Sequence, residues 1–402
     1  MTATDPRLLP FSAVLSSLEN EGAYAVMAAA AAVESATGKP VIHLEIGQPA
    51  FPTPAPVADA AIAAIAAGKT KYSSPRGVAP LRAAIASLAN RHRGLAVTPQ
   101  HVVVGSGAKP GLFLATLALV RGPHDHLLIP DPGFPTYRAM VAVANGTAVP
   151  VPLRPDMRSF DMPALEAAVT HRTRLVVLNS PGNPTGGVVP LEHLRRIAQL
   201  AVEHDFWVVS DEIYSQLCYE DTYTSIASPP GMAVRTVVVD GFSKSYCMTG
   251  WRLGWAIMPP PLAERVELLL VHSVGCTATF TQEAGIAALA GGGEVEMLRR
   301  EYRKRRDIVV KGLNAIPGVR CDRPQGAFCA FADVRSFGRS SKEIADVLLQ
   351  DGLVAVLPGT DFGEQGEGFI RLSYVSEEEE QREGLRRIAA TLGRLRPVKA
   401  VA

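Results

Sequence analysis

The middle of the chain repeats one pattern, in which a short β-branched apolar run leads into a turn-rich loop and then into a longer segment with helical spacing. Each run is continuously apolar, whereas a strand with one solvent-exposed face would alternate between apolar and polar residues. The pattern therefore predicts an α/β fold whose large domain has a mostly parallel sheet flanked by helices. The runs are residues 102–104, 127–129, 175–178, 207–209 and 236–239.

The pattern changes after about residue 290, where a charged helix over 294–316 is followed by shorter strand-like segments. This change predicts a smaller α+β domain over 291–402, which leaves 46–290 as the large domain. The chain of 402 residues is long enough for two such cores. The strand-like segments are 327–332, 354–357 and 369–374.

The first 45 residues contain an Ala-rich helix over 23–36, which Gly38 and Pro40 close. We expect this N-terminal segment, 1–45, to pack on the smaller domain. Residues 1–10 have no apolar core of the kind that a secretory signal contains, so we expect a cytoplasmic protein.

Composition excludes several classes of function. A net charge of +1 provides no long-range field for nucleic acid or an anionic membrane. The longest apolar runs, 23–33 and 111–120, are about half of the ~20 residues that a membrane-spanning helix needs. The five cysteines are scattered and never spaced as C-x-x-C, which predicts reduced thiols and no zinc site. We expect no metal.

The residues after each run form the candidate site, because ligands bind at the carboxyl ends of strands in open, mostly parallel sheets. The first run leads into the small residues 105–108 and Lys109, where free backbone N–H groups at a helix start are typical of phosphate binding. Because residue 110 is proline, the glycines lack the G-x-G-x-x-G spacing of a dinucleotide site. A tight strand-to-helix turn is the alternative role.

The third and fourth runs end in polar residues. Residues 179–187 form a dense turn cluster, in which the Asn183 amide is fixed and can donate to a ligand oxygen. Asp211 follows the fourth run directly, and burial of its carboxylate is costly unless it meets a cation. The alternative role of Asp211 is a helix N-cap, at which aspartate is favoured.

The fifth run leads to Lys244, which places an ammonium group at the same edge of the sheet. A lysine can also be a surface residue there, because its stem lets the charge reach water. Arg252 follows between Trp251 and Trp255, and an arginine enclosed in this way favours a bound anion or carboxylate. No single one of these signals is decisive.

Together, these residues supply the groups that one cofactor requires, namely an amine to form a Schiff base, an acid to protonate a pyridine nitrogen, and donors for a phosphate. The cofactor that needs this set is pyridoxal 5'-phosphate. Without the acid the ring is a poor electron sink, so the prediction includes both Lys244 and Asp211.

Seven motifs occur in order: IGQP at 46–49, KTKY at 69–72, GAK at 107–109, NPTG at 183–186, SDEIY at 210–214, SK at 243–244 with TGWRLG at 249–254, and IRLSY at 370–374. In this combination they resemble the class I/II pyridoxal-phosphate-dependent aminotransferases, the aspartate-aminotransferase-like group of fold type I. The resemblance extends over nearly the whole chain, and seven ordered motifs are far more specific than a lone Ser-Lys pair.

The resemblance implies a role for each matching residue at the cofactor ring. Lys244 resembles the Schiff-base lysine, which also moves the proton between the substrate Cα and C4′ of the cofactor, and Asp211 pairs with the pyridine nitrogen. Asn183 and Tyr214 resemble the donors to the phenolic oxygen. Phe134 resembles the ring that stacks on the pyridine face, although several relatives have tryptophan there.

The resemblance also implies the residues around the phosphate and the substrate. Lys109 neutralises the phosphate, is exposed to solvent, or meets a distal carboxylate of the substrate. Arg371 resembles the arginine that binds the substrate α-carboxylate, with Gly47 and Asn183 beside it. Tyr72 resembles a tyrosine that reaches the phosphate of the neighbouring subunit, which implies a homodimer with shared active sites. The groups implied for the phosphate are the Gly107 and Ala108 backbones, Arg252 and Ser243.

The implied reaction moves the amino group of an L-amino acid to a 2-oxo acid with ping-pong kinetics. No arginine occurs over 271–281 of the kind that dicarboxylate-specific relatives supply from the second subunit. Three alternatives remain: another pyridoxal-phosphate reaction (β-lyase, cyclase or oxidase), a nicotinamide oxidoreductase, and a non-catalytic ligand-binding protein. The expected partners are the small-molecule substrates and a second subunit, with no nucleic acid or membrane.

Overall fold

The computed structural model describes residues 12–16, 18, 21–219 and 223–395. The N-terminal ten residues, where we expect no secretory signal, lie outside the described residues. So do parts of the predicted N-terminal segment and the end of the predicted smaller domain. The domain limits near residues 45 and 290 stay predictions.

The strands of the described residues belong to three sheets. The strands are β1 (Ile42–His43), β2 (Val102–Gly105), β3 (His126–Asp131), β4 (Thr147–Pro152), β5 (Thr173–Asn179), β6 (Trp207–Asp211), β7 (Thr236–Gly241), β8 (Gly254–Ile257), β9 (Arg320–Cys321), β10 (Cys329–Asp333), β11 (Val354–Ala355), β12 (Leu357–Pro358) and β13 (Phe369–Ser373).

The helices surround these sheets. The α-helices are α1 (Ala13–Ser16), α2 (Gly22–Thr37), α3 (Ala55–Ala66), α4 (Ala79–Arg93), α5 (Lys109–Leu119), α6 (Thr136–Val143), α7 (Met162–Ala168), α8 (Leu191–Glu203), α9 (Pro260–Ser273), α10 (Thr279–Ala290), α11 (Glu294–Asn314), α12 (Ser341–Gln350) and α13 (Glu378–Leu395). Short 3₁₀ helices occupy Pro99–His101, Ser215–Leu217, Arg335–Phe337, Gly359–Phe362 and Glu364–Gly366. Within the described residues, no helix is long and apolar enough to cross a membrane.

The largest sheet has seven strands in the order β2-β8-β7-β6-β5-β3-β4. Neighbouring strands from β7 to β4 are parallel, whereas β8 is antiparallel to both β2 and β7. Six strands therefore point the same way, and their carboxyl ends meet at one edge. Because β8 runs in reverse, it begins at that edge, where Gly254 pairs with Gly105 and Gly241.

Helices cover both faces of this sheet, as the continuously apolar runs predict. Alternate residues of one strand enter opposite cores, since successive side chains of a strand point to opposite faces. Val103 of β2 packs with Leu112 of α5 on one face. Val102 and Val104 pack with Ile85 of α4 on the other face. The predicted α/β fold is confirmed.

Two strands of the large sheet are absent from the prediction. β4 contains Pro150 and Pro152 and lies at the edge of the sheet, where a missing N–H group is tolerated. β8 is only four residues long and lies two residues after Arg252, in a stretch interpreted as anion-binding. Predicted and observed helices agree closely, with 191–204 observed as Leu191–Glu203 and 294–316 as Glu294–Asn314.

The C-terminal part of the chain forms a four-stranded antiparallel sheet in the order β12-β13-β10-β9. The N-terminal segment reaches the same part of the molecule, because β1 pairs in parallel with β11. On α2, Ala30 and Val33 pack in one cluster with Leu349 and Ala355. These contacts support the predicted packing of the N-terminal segment.

Candidate active site

Polar residues converge at the edge of the large sheet where the parallel strands end. The convergence follows from topology, since each loop after a parallel strand leaves the sheet at the same edge. β2 leads into the loop of Gly107, β5 into the turns around Asn183, β6 ends at Asp211, and β7 leads into Lys244. Arg371 of β13 approaches this edge from the four-stranded sheet.

Asp211 is the last residue of β6, and its side chain is buried. Tyr137 donates its hydroxyl to Asp211 Oδ2 at 2.9 Å, and the Ile213 N–H donates to Oδ1 at 3.3 Å. Burial raises the pKa of Asp211 to about 6, although these two hydrogen bonds oppose the rise. No helix begins directly after Asp211, since the next short helix is Ser215–Leu217, so the N-cap alternative is wrong.

Lys244 turns inward from the loop after β7 and is partly buried. Its Nζ donates to the backbone oxygen of Gly47 at 2.6 Å and lies 5.4 Å from the centre of the Phe328 ring. Burial, together with the positive charges of Arg371, Lys109 and Arg252, lowers the pKa of Lys244 to about 8. The surface alternative for Lys244 is therefore wrong.

The backbone of the loop after β2 closely approaches the start of β8 and the Arg252 side chain. Gly107 has φ +96°, and a Cβ placed there would lie 2.3 Å from Arg252 Nη2. A Cβ on Gly254 would lie 2.5 Å from the backbone nitrogen of Ala108. Helix α5 begins at Lys109, and the N–H groups of Ala108 and Lys109 lie at its start, whereas the Gly107 N–H donates to the Gly105 oxygen at 2.8 Å. Close backbone approach and free N–H groups suit an anion.

Arg252 occupies an unusual backbone conformation for a non-glycine residue, with φ +52°. Its Nη1 donates to the backbone oxygen of Thr249 at 2.9 Å. The sequence prediction of an enclosed arginine is wrong, because Arg252 is exposed even though Trp255 is buried and Trp251 is partly buried. The guanidinium instead lies on the open side of the Gly107 loop, where an anion could reach it.

Lys109 and Phe134 lie together at the same edge. Lys109 Nζ is 5.2 Å from the centre of the Phe134 ring and pairs with the Glu21 carboxylate at the start of α2. Phe134 packs edge-on against Tyr137, with ring centres 5.8 Å apart. The predicted stacking ring therefore contacts the residue that holds Asp211. Ser243 is buried beside Lys244.

Arg371 is buried on β13 and has few partners for its charge. Nη2 donates to the backbone oxygen of Glu45, and Nη1 donates to Cys329 Sγ at 3.7 Å. Nε is buried without a hydrogen-bond partner. Among the described residues, no carboxylate pairs with Arg371. A buried guanidinium with unused donors is suited to binding a carboxylate.

The remaining predicted residues lie around Lys244, apart from one. Tyr214 is buried, and its ring packs edge-on against Phe328 with ring centres 5.1 Å apart. Burial raises the pKa of Tyr214 well above its usual value. Asn183 Oδ1 lies 3.9 Å from Cys329 Sγ, so Asn183 and Arg371 share a neighbour. Tyr72 is 96% exposed and does not join the site within this chain.

Three site residues are absent from the sequence prediction: Tyr137, Phe328 and Cys329. Tyr137 lies in the first turn of α6, and its N–H donates to the backbone oxygen of Phe134 at 3.0 Å, but no local pattern indicates its contact with Asp211. Cys329 reaches Arg371 through the pairing of β10 with β13, which no local pattern indicates. Across the part of the chain that the structure describes, no group of three or more His, Cys, Asp or Glu side chains could hold a metal ion.

Comparison with known proteins identifies the class. Residues 39–388 match the family model described as aminotransferase class I and II. The chain belongs to this family and is an aminotransferase of the fold-type-I architecture.

Relatives that are 40% identical to this chain are also named aminotransferases or transaminases. The chain is 40% identical over 364 residues to an aspartate/prephenate aminotransferase of Thermus thermophilus, which covers 89% of this chain and 92% of that protein. It is 40% identical over 355 residues to an arginine–pyruvate transaminase of Pseudomonas aeruginosa, covering 88% and 90%.

A solved structure shares the fold over nearly its full length. Aspartate aminotransferase from Thermus thermophilus with maleate has a TM-score of 0.90 and 37% identity, covering 96% of this chain and 100% of that one. The predicted family, fold class and enzyme class are confirmed, which disfavours the nicotinamide oxidoreductase and the non-catalytic binding protein.

Proposed function

We propose that this aminotransferase uses pyridoxal 5'-phosphate, bound at the carboxyl edge of the large sheet with Lys244 as its attachment point. One observation carries the proposal: the inward-turned amine of Lys244 and the buried carboxylate of Asp211 lie at the same end of the neighbouring strands β7 and β6. Two features fit the cofactor and its substrate. The backbone of Gly254 packs against that of Gly107 and Ala108 with no room for a Cβ, and Arg371 Nε is buried without a partner.

When bound, pyridoxal phosphate supplies an electron sink for the pair of electrons left when the substrate Cα loses its proton. Asp211 keeps the pyridine nitrogen protonated and is held in place by Tyr137. An ion pair with a cationic ring nitrogen would favour the charged form of Asp211, which burial disfavours. Phe134 would stack on the ring, and Asn183 and Tyr214 would donate to its phenolic oxygen.

Lys244 both attaches the cofactor and moves the Cα proton. Each role requires the neutral amine, and a pKa of about 8 makes this form far more abundant near neutral pH than for an ordinary lysine. Its neighbours explain why: burial disfavours the ammonium, and Arg371, Lys109 and Arg252 repel it. The same cations are suited to hold the anionic groups of the cofactor and the substrate.

The phosphate would lie against the Gly107 and Ala108 backbone at the start of α5, where the Ala108 N–H can donate to it, with Arg252 and Ser243 beside them. Lys109 adds positive charge at this edge. Its ammonium also pairs with Glu21.

The substrate α-carboxylate binds Arg371, with Gly47 and Asn183 beside it. A Cβ on Gly47 would lie 3.7 Å from Arg371 Nη1, so the glycine borders the guanidinium. Because every α-amino acid and 2-oxo acid carries this carboxylate, Arg371 serves both halves of a ping-pong reaction. We therefore propose an L-amino acid donor and a 2-oxo acid acceptor.

We further propose a homodimer with shared active sites, located in the cytoplasm. The nearly full exposure of Tyr72 supports a role across a subunit interface. Exposed apolar side chains on α3 and α9 supply surface for such an interface, for example Ile62, Ile65, Leu268 and Val271. The scattered cysteines support the location, since they are typical of reduced thiols.

The test measures where the cofactor attaches and how much 2-oxo acid each site releases. After borohydride reduction of the cofactor-loaded protein, peptide mass spectrometry should find the pyridoxyl group on Lys244. An amino acid without an acceptor should then give one equivalent of 2-oxo acid per site, and a 2-oxo acid should restart turnover. An unmodified Lys244 refutes the proposal. Continuous release of ammonia or pyruvate without an acceptor assigns the lyase alternative instead.

A further inference from the structure

A fully buried ion cluster lies directly behind the site, and the proposed chemistry does not use it. Its three charged members are Arg93, Glu212 and Asp240, which we call the Arg93 cluster. Arg93 is the last residue of α4, and its side chain is 1% exposed. Its Nε donates to Glu212 Oε2 at 2.7 Å, and its Nη2 contacts the Asp240 carboxylate.

The Arg93 cluster is densely hydrogen-bonded. Ser210 and Ser225 donate their hydroxyls to Glu212 Oε1 at 3.0 and 2.6 Å. Asp240 Oδ1 accepts from the Gly241 N–H at 2.6 Å. Arg93 Nη2 also donates to Ser215 Oγ at 2.7 Å. Buried charges with this many partners hold a defined geometry, because losing any one partner leaves a costly unpaired group.

The two acids of the cluster are next to the two proposed catalytic residues in sequence. Glu212 directly follows Asp211, and Asp240 lies near the end of β7, four residues before Lys244. β6 and β7 are neighbours, and Asp211 pairs with Val239. One guanidinium therefore bridges the ends of the two strands that carry the acid and the lysine.

The charges also link the Arg93 cluster to Asp211. Asp211, Glu212 and Asp240 are three buried carboxylates, and Arg93 is the cation that contacts two of them. Burial raises the pKa of Asp240 to about 6, and the positive charge of Arg93 opposes the rise. The charge of Glu212 raises the pKa of Asp211. Without Arg93, uncompensated negative charge would remain beside the proposed cofactor acid.

We propose that Arg93 is a positioning residue for the cofactor: by joining Glu212 to Asp240, it fixes the separation of Asp211 and Lys244. This role rests on the proposed function, because it needs a ligand that contacts both residues. A guanidinium suits it better than an ammonium, since its rigid fork can donate to both strands at once.

The first test compares Arg93→Met with a matched control, Arg305→Met. Arg305 is likewise buried, donates to Glu301 at 3.0 Å and to the backbone of Val375 and Ser376, and lies on α11 away from β6 and β7. Each variant removes a buried arginine and should lower the melting temperature. Arg93→Met should in addition weaken pyridoxal phosphate affinity about tenfold or more and shift the absorbance of the bound cofactor, because its two contacts move apart.

Kinetics separates positioning from a general loss of structure. For Arg93→Met we expect kcat to fall about a hundredfold while the KM of the amino donor changes less than about threefold, because Arg371 is untouched. Arg305→Met should keep cofactor affinity and kcat within about twofold of the wild type. Equal changes of cofactor affinity in the two variants at matched stability would overturn the proposal.

Arg93→Lys serves as the second variant, and it carries the test if Arg93→Met does not fold. It keeps the charge but loses the fork, so we expect cofactor affinity between those of wild type and Arg93→Met. Wild-type affinity in Arg93→Lys, with an unchanged cofactor spectrum, would refute positioning by the fork. If the wild-type protein itself takes up no cofactor at Lys244, the proposed function fails and this role fails with it; wild-type uptake with unaltered Arg93 variants refutes this role alone.

Discussion

Arg93 and Arg371 are both buried at the same edge of the molecule, yet their surroundings differ in one respect. Arg93 contacts two carboxylates and a hydroxyl, so its charge is neutralised within the fold. Arg371 contacts a backbone oxygen and a thiol, and its Nε has no partner. Burying a cation that has no anionic partner in the protein costs free energy, and an anionic ligand that pairs with it offsets this cost.

The difference separates two kinds of buried charge. In the Arg93 cluster every charge has a partner within the fold. Removing one of its side chains should lower both stability and activity, because the cluster holds the ends of two strands together. Lys244 and Arg371 have no carboxylate partner within the described residues. Removing either side chain should therefore affect function far more than stability. The predictions below test this contrast from the largest expected effect to the smallest.

Lys244→Ala should lower turnover by more than about a thousandfold, because no other side chain can attach the cofactor and carry the Cα proton. The melting temperature of the cofactor-free protein should not fall, because burial disfavours the ammonium that the substitution removes. Steady-state kinetics and thermal unfolding without cofactor measure the two quantities. Activity near that of the wild type would contradict the role of Lys244.

Arg371→Ala should raise KM about a hundredfold for every amino donor, which corresponds to the loss of a charge-assisted, two-point contact with the α-carboxylate. Its unfolding temperature should fall less than that of Arg305→Met, whose guanidinium is fully partnered in the folded protein. A panel of acidic, aromatic, basic and small donors provides the check. A KM change confined to one donor would contradict α-carboxylate binding, and an equal loss of stability would break the contrast between arginines with and without a carboxylate partner.

The rate of cofactor attachment to the cofactor-free protein should rise about tenfold between pH 7 and pH 9 and then level off, because only the neutral amine reacts. The sign follows from the lysine pKa of about 8, below which the ammonium dominates. Stopped-flow absorbance after mixing with pyridoxal phosphate measures the rate. A rate that continues to climb tenfold per unit above pH 9 would indicate an ordinary lysine.

Tyr72→Phe should weaken pyridoxal phosphate affinity by about fivefold, the effect of one lost hydrogen bond to the phosphate across the subunit interface. Kinetic constants at saturating cofactor should change little. Equilibrium titration measures the affinity, and sedimentation verifies that the variant remains a dimer. Unchanged affinity in a dimeric variant would place Tyr72 outside the site.

Most of the sheet and the order of the site residues could be predicted from the sequence, because both depend on local patterns. Five apolar runs indicate five strands, and topology brings the residues after them to one edge. The features that the sequence did not predict depend on contacts between distant segments of the chain. The exposure of Arg252, the contact of Tyr137 with Asp211, and the Arg93 cluster all arise from pairings that no window of sequence contains.

The reversed direction of β8 also sets a rule for engineering this enzyme. Arg252 reaches the Gly107 loop because residues 242–253 connect the end of β7 to the start of β8 at the same edge, where Gly254 pairs with Gly105 and Gly241. The length of this return segment is therefore constrained at both ends. Inserted residues here would misplace the guanidinium even with every motif intact, so library designs should vary composition in this segment and leave its length unchanged.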